Sequence, residues 1–300
     1  MKVYLGVPRG FCAGVVRAID LVQLALDKYG PPVYVKHQIV HNPHVVEEME
    51  SRGAITVEDV DEIPEGSRVV FSAHGSPPED FLKAKARSLQ IVDATCPLVI
   101  KVHNEAKKYD KDGRKLILVG HEGHQEVKGT MGQTEMSLID DRINYEIPDW
   151  DPDTPVTVLT QTTLSVDDTR RVIDDIGTQF DDVLVRNDLC YATTNRQNAV
   201  KEISEFVELF LVVGAENSSN CNRLREVAES KGVDAYLINS LKDLNPDWLL
   251  NVSNVGITSG ASTPDNLVHE IIDYLNPDKV IKMGGEEENI VFSLPLEFRE

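Results

Sequence analysis

Residues 89–98 read LQIVDATCPL, a β-branched run that predicts a buried strand, followed by Cys96 and then by Pro97 opening a helix. A thiol at such a junction lies against helix N-terminal N–H groups, which favour its thiolate. The same order occurs twice more. KVYLGVPRGFC, residues 2–12, ends a strand before Cys12, and VLVRNDLC, residues 183–190, ends one before Cys190. Three junctions of strand, thiol and helix point to one shared site.

Outward from these junctions, short apolar strands alternate with segments of helical periodicity. That alternation predicts an α/β fold of three similar modules, each with a small, mostly parallel sheet, flanking helices and right-handed crossovers. Successive thiols stand about 84 and about 94 residues apart, which is domain-sized spacing. The expected modules are 1–95, 96–189 and 190–283, with 284–300 a tail that packs back. The strand at 2–6 fits module one or completes module three. Ser76-x-x-Glu79, Ser165-x-x-Asp168 and Ser262-x-x-Asp265 read as capping signatures at matching places. Modules related by a pseudo-threefold axis would turn those helix starts toward one centre, at the carboxyl ends of the strands where ligands of parallel sheets collect.

Composition narrows the function. The 300 residues are 41% apolar, enough for a large core. Asp and Glu number 50 against 30 Lys and Arg, a net charge of −20 that argues against a nucleic-acid partner. No apolar run reaches the roughly 18 residues of a membrane span, and the first residues carry no signal-peptide pattern. The expectation is a cytoplasmic chain with no membrane partner and with reduced thiols. Four widely spaced cysteines suit metal or redox chemistry better than disulfides. Cys221 has no counterpart in the other modules and reads as a small buried hydrophobe. Cys12, Cys96 and Cys190 lack the close pairing typical of zinc sites. One thiolate per module suits a [4Fe–4S] cluster with three cysteine ligands, whose remaining iron stays open to a substrate oxygen.

The loops between strands and helices carry the polar candidates. His41, His44, His74, His121 and His124 read jointly as donors to phosphate oxygens. The segment HEGHQE, residues 121–126, does not fit a zinc-protease helix, because its histidines are three apart and Gly123 weakens a helix there. Glu126 is the candidate acid, since an anionic neighbourhood raises a carboxyl pKa; its alternative is a charge at a helix N-terminus. Thr162, Ser218, Ser219, Asn220 and Ser262 supply hydroxyls and an amide for a phosphate cradle, with plain helix capping the alternative.

At these residues the chain resembles a known family. GFCAGVVRAI (10–19), VHNPHVV (40–46), FSAHG (71–75), DATCPLV (93–99), GHEGHQEVKGTMGQ (120–133), TQTTLSVDDT (160–169), CYATTNRQ (190–197), NSSN (217–220), GASTPD (260–265) and EENIVF (287–292) closely resemble the 4-hydroxy-3-methylbut-2-enyl diphosphate reductases, nearly end to end. The resemblance implies a trefoil of three α/β modules around a [4Fe–4S] cluster on Cys12, Cys96 and Cys190. It implies that His41, His74, His124, Ser218, Ser219, Asn220 and Ser262 hold a diphosphate and that Glu126 and Thr162 attend the substrate hydroxyl. It also implies reductive dehydroxylation of an allylic diphosphate to isopentenyl and dimethylallyl diphosphate, the last step of the methylerythritol phosphate route, with electrons from ferredoxin or flavodoxin. The chain departs from the pattern at Cys221, usually serine, at Gln125, often proline, and at Glu216, often lysine. Two other classes share the thiol signature. An iron–sulfur sensor has no use for a phosphate cradle, and a cluster-dependent hydro-lyase turns over without a reductant.

Overall fold

A computed structural model describes residues 1–186, 188–285 and 288–299. Asn187, in the strand expected before Cys190, and Glu286, Glu287 and Glu300, in the tail, lie outside the described residues. The chain begins β1 (Lys2–Val7), α1 (Ala13–Tyr29), β2 (Val33–Lys36), α2 (Pro43–Ser51), β3 (Ala54–Val57), β4 (Arg68–Phe71), α3 (Pro78–Ala86), β5 (Gln90–Asp93). It continues α4 (Pro97–Lys111), β6 (Lys115–Val119), α5 (Gln125–Met131), β7 (Ser137–Ile139), β8 (Val156–Thr160), α6 (Val166–Gln179), β9 (Val183–Val185). The last part is α7 (Tyr191–Ile203), β10 (Leu209–Val213), α8 (Ser219–Ser230), β11 (Asp234–Ile238), β12 (Asn254–Ser259), α9 (Asp265–Leu275), β13 (Lys279–Gly284). The fold is α/β with three small parallel sheets.

The elements form two compact units. One comprises residues 1–16, 41–45 and 190–291 and holds a five-stranded sheet in the order β11-β10-β12-β1-β13, parallel throughout. The N-terminal strand thus pairs with β12 and β13, far along the chain. Residues of β10 alternate between two cores, as a period of two requires. Leu209, Leu211 and Val213 join Val3, Leu5, Ile257 and the α9 residues Val268 and Ile271. Phe210 and Val212 join Val200 and Ile203 of α7 and Leu224 of α8. With both faces covered, a strand must be apolar at every position, and LFLVV is buried throughout.

The second unit comprises residues 17–40 and 46–189 with the C-terminal residues from Phe292. It contains two four-stranded parallel sheets, ordered β3-β2-β4-β5 and β7-β6-β8-β9. Val69, Phe71, Ile63 and Ala84 form one core. Val119, Val158, Leu164, Val172 and Ile176 form another, and Leu116, Leu118 and Leu159 pack on Val102 and Ala106 of α4. The C-terminal residues lie along α1, where the buried Phe298 ring meets Tyr29 edge-on and Lys28 Nζ donates to the Glu297 carbonyl. Among the described residues no helix is long and apolar enough to cross a membrane.

Two of the three expected capping signatures do not cap. Ser165 does, its hydroxyl accepting from Asp168 N, but α3 and α9 start from Pro77 and Pro264 with no side-chain cap. In each case a proline occupies the cap position, which leaves Ser76 one residue and Ser262 two residues ahead of it. Ser262 Oγ instead donates to the His41 carbonyl, and Ser76 Oγ has no partner among the described residues. His44, expected in a loop, lies in the first turn of α2, where Asn42 Oδ1 accepts from its N–H.

Cys221 is fully buried, and a Cβ placed on Gly214 or on Gly260 would come 2.2 Å from its sulfur. The thiol fills space that only two glycines leave open. Gly260→Ala is expected to cost about 1–3 kcal/mol through overpacking, and Cys221→Ala in the same chain to recover most of that loss, as read from urea midpoints in a double-mutant cycle. Equal losses with and without Cys221 would refute this packing.

Candidate active site

In the first unit the backbone around Cys12 is held by three bonds. Cys12 N donates to the Ala261 carbonyl, Gly10 N donates to Ser259 Oγ at 2.9 Å, and Arg196 Nη2 donates to the Gly10 carbonyl at 2.8 Å. Arg196 is wholly buried on α7 and its other amino group meets the Glu288 carboxylate at 3.1 Å. Cys190 occupies the N-cap position of α7. The phenol of Tyr191, next in sequence, has its pKa raised by burial and further by the negative charge of Cys12, Glu288 and Cys190. Two thiols far apart in sequence therefore surround one phenol.

The same unit gathers polar loop residues on His41. Ser262 Oγ reaches the His41 carbonyl at 3.1 Å, and Asn217 Nδ2 lies 3.5 Å from His41 Nδ1. Ser218 is the N-cap of α8, its hydroxyl accepting from Cys221 N, and Ser219 and Asn220 follow in the first turn. All three are buried, and both polar atoms of the Asn220 amide have no partner among the described residues. Such an amide is costly to leave unsatisfied and suits a polar ligand.

In the second unit Cys96 caps the start of α4 after β5, its N–H donating to the Ala73 carbonyl. The rings of His74 and His124 meet edge-on, with centroids 6.0 Å apart. His124 caps α5, and its Nδ1 accepts from Glu126 N, which leaves the proton of the neutral ring on Nε2. Glu126 turns inward. Its carboxylate is 4% exposed and accepts from Thr162 N at 2.6 Å and from Thr162 Oγ1 at 3.0 Å. Burial pushes its pKa up to about 7, against the pull of the two Thr162 bonds, and the charge of Asp188 adds to the rise. Asp188, also buried, is itself pushed up to about 6 by burial, although Lys101 Nζ bonds it at 3.0 Å.

His121, beside these residues in sequence, has other partners. Its Nε2 lies 3.1 Å from Asp141 Oδ1, and ligand atoms of His121, Asp140 and Asp141 fall within 4.8 Å of one another. Arg142 already neutralises Asp140: burial alone would raise that carboxyl, but the guanidinium and two backbone N–H groups hold it far below the usual range.

Within the units the structure places members of the expected sets near one another: Cys12 and Cys190 both act on Tyr191, Ser262 bonds the His41 carbonyl, the His74 and His124 rings meet, and Thr162 bonds Glu126. Cys12, Cys96 and Cys190 are half-buried, whereas burial in the core raises the pKa of Cys221. Sequence reading missed Tyr191, Asp188 and Arg196. The signal for Arg196 was present, because it sits in the otherwise apolar stripe Ala192, Ala199, Val200, Ile203 of α7. Nothing in the sequence marks Asp188 as buried.

A carboxyl with a folded-state pKa near 7 favours the fold most when protonated, and that advantage is lost as pH rises from about 4.5 through about 7. Glu126→Gln lacks the titration. Relative to the unsubstituted chain it is expected to gain about 3 kcal/mol between pH 4 and pH 8, measured by anaerobic urea unfolding. A difference independent of pH would show that the carboxyl titrates normally.

Comparison with known proteins bears on the sequence and the fold. The family model described as LytB protein matches residues 3–276. The 4-hydroxy-3-methylbut-2-enyl diphosphate reductase 2 of Bradyrhizobium diazoefficiens is 51% identical over 304 residues, covering 99% of each chain. The solved structure of the E-1-hydroxy-2-methyl-but-2-enyl-4-diphosphate reductase from Plasmodium falciparum superposes with a TM-score of 0.93 at 36% identity, over 99% of this chain and 96% of that one. A second solved reductase, described as the terminal enzyme of the non-mevalonate pathway, gives a TM-score of 0.64 at 29% identity over 92% of this chain and 99% of its own. By sequence along nearly its whole length and by fold, this chain belongs to the LytB family.

Proposed function

We infer that the chain is an oxidoreductase that converts (E)-4-hydroxy-3-methylbut-2-enyl diphosphate to isopentenyl and dimethylallyl diphosphate. The allylic C–O bond breaks, two electrons and two protons enter, and water leaves. Full-length relatives that carry this reductase name support the reading. The observation that carries it is the buried Glu126–Thr162 pair, a carboxyl that still holds a proton near neutral pH with a hydroxyl 3.0 Å away.

The thiols of Cys12, Cys96 and Cys190 are the proposed ligands of a [4Fe–4S] cluster. Half-buried soft donors at helix starts suit iron and sulfide, and the shared influence of Cys12 and Cys190 on the Tyr191 phenol places both thiols near one group. When bound, the cluster supplies the electrons and a Lewis acid, and ferredoxin or flavodoxin in the cytoplasm is the proposed source of the electrons.

The remaining steps belong to the chain's own groups. His41, His74, His124, Ser218, Ser219, Asn220 and Ser262 bind the diphosphate through ring N–H, hydroxyl, amide and helix-start donors. With Glu126 protonated, its O–H donates to Thr162 Oγ1, whose hydrogen is then released toward the leaving oxygen. Thr162 N stays on Oε1 and keeps the carboxyl oriented during the transfer.

Anaerobic purification with iron and sulfide counted, then assay with a chemical reductant and the allylic diphosphate, tests the reading. Cys12→Ser, Cys96→Ser and Cys190→Ser are each expected to lose iron, and Cys221→Ser to keep it. Full iron in any of the first three would remove that ligand from the set. Glu126→Gln is expected to keep the cluster and substrate binding but to lose about 10²–10⁴-fold in turnover. In the unsubstituted enzyme turnover should fall above about pH 7 as the proton is lost, and the variant should lack that limb. Turnover without any reductant would exclude the reductase reading.

A further inference from the structure

A cavity of about 370 Å³ opens between α3, α4 and the end of β5, within the second unit, and none of the residues assigned to the reaction lines it. Its polar wall includes Ser76 and His103, 2% and 8% exposed, whose Oγ and Nε2 have no hydrogen-bond partner among the described residues. Lys85 of α3 and Lys107 of α4 also line it, both exposed, with no ion pair among the described residues. Two uncommitted cations in one recess are notable in a chain of net charge −20. Asp93, whose Oδ1 accepts from Thr95 N and Oγ1, is the single carboxylate in the lining, so two cations stand against one anion.

The same two helices also line the cavity with apolar side chains: Pro78, Phe81 and Leu82 from α3 and Ile100 from α4. Phe81 is fixed by stacking on Phe71 at 4.3 Å, and Leu82 stands 65% exposed at the rim. The floor is tied down by Gln133 Nε2, which donates to the Gly129 carbonyl at 2.8 Å. A pocket that combines two cations and unpartnered buried polar atoms with preformed apolar side chains suits an amphipathic anion. At about 30 Å³ per water-sized unit its volume holds roughly a dozen non-hydrogen atoms.

We propose that this cavity is a second ligand site, separate from the reaction site, that binds a short-chain alkyl phosphate ester: phosphate on Lys85, Lys107, Ser76 and His103, alkyl chain on Phe81, Leu82 and Ile100. His103 enters neutral, since burial and the neighbouring Lys107 lower its pKa to about 4, and it contributes one N–H rather than a charge. The two lysines supply the charge from the solvent side.

The test is anaerobic calorimetric titration of the holoenzyme with 3-methylbutyl phosphate, and with inorganic phosphate alone. Binding is expected to be weakened at least roughly tenfold by Lys85→Gln/Lys107→Gln, two exposed positions whose change leaves the fold intact. Ser76→Val should weaken it as well. The same binding is expected to survive His124→Asn, a variant of the proposed reaction site, and turnover of the lysine variant without added ester should be unchanged. Absence of binding in the unsubstituted enzyme, affinity unaffected by the lysine pair, or loss of all binding in His124→Asn would each overturn the proposal. Inorganic phosphate binding as tightly as the ester would overturn the amphipathic class. None of these outcomes depends on the reductase assignment.

Discussion

Parallel strands cannot be joined by a tight turn. Each needs a crossover, and right-handed crossovers return the chain to the same end of its sheet every time. Every strand pairing among the described residues is parallel. The loops that carry the proposed site residues follow directly: His41 after β2, His74 after β4, Cys96 after β5, His124 after β6, Thr162 after β8, Ser218 after β10 and Ser262 after β12. Helix N-termini begin at the same places, so the N–H groups that favour thiolates and phosphates are supplied by the architecture itself. The rest of the molecule is the apolar packing needed to hold those ends still.

Burial then decides the chemistry of particular groups. In water Glu126 would carry no proton at neutral pH. With two bonds from Thr162 its pKa would fall further, yet the loss of solvent outweighs both and brings it to about 7. The thiols divide in the opposite sense. Cys221 is enclosed by the main chain of Gly214 and Gly260 and behaves as a filler, whereas Cys12, Cys96 and Cys190 keep partial access. One residue type thus serves two ends, and its neighbours determine which.

Arg196 shows how a charge can be used far from any ligand. Buried on α7, it joins the carboxylate of Glu288 to the carbonyl before the Cys12 segment. Removing it would leave a buried carboxylate and a buried carbonyl unpaired, which is why such a pair is costly to break even where its net contribution to stability is small. Backbone position at Cys12 is therefore coupled to α7, the helix that Cys190 caps.

Much of this was legible in the order of residues. Periodicity separated strands from helices, the strand–thiol–helix junctions set the three half-buried cysteines apart from the buried one, and the loop histidines and hydroxyls were legible as strand-end residues, because such patterns are local and backbone preferences act locally. Capping at Ser76 and Ser262 was misread, since a proline one or two residues on takes the cap position and only the folded backbone reveals which residue does so. The pairing of β1 with β12 and β13, the inward turn of Glu126 onto Thr162, and the burial of Asp188 were decided by tertiary structure alone. Strand partners and pKa values depend on groups brought near from distant parts of the chain, and on the water those groups displace, neither of which any run of neighbouring residues encodes.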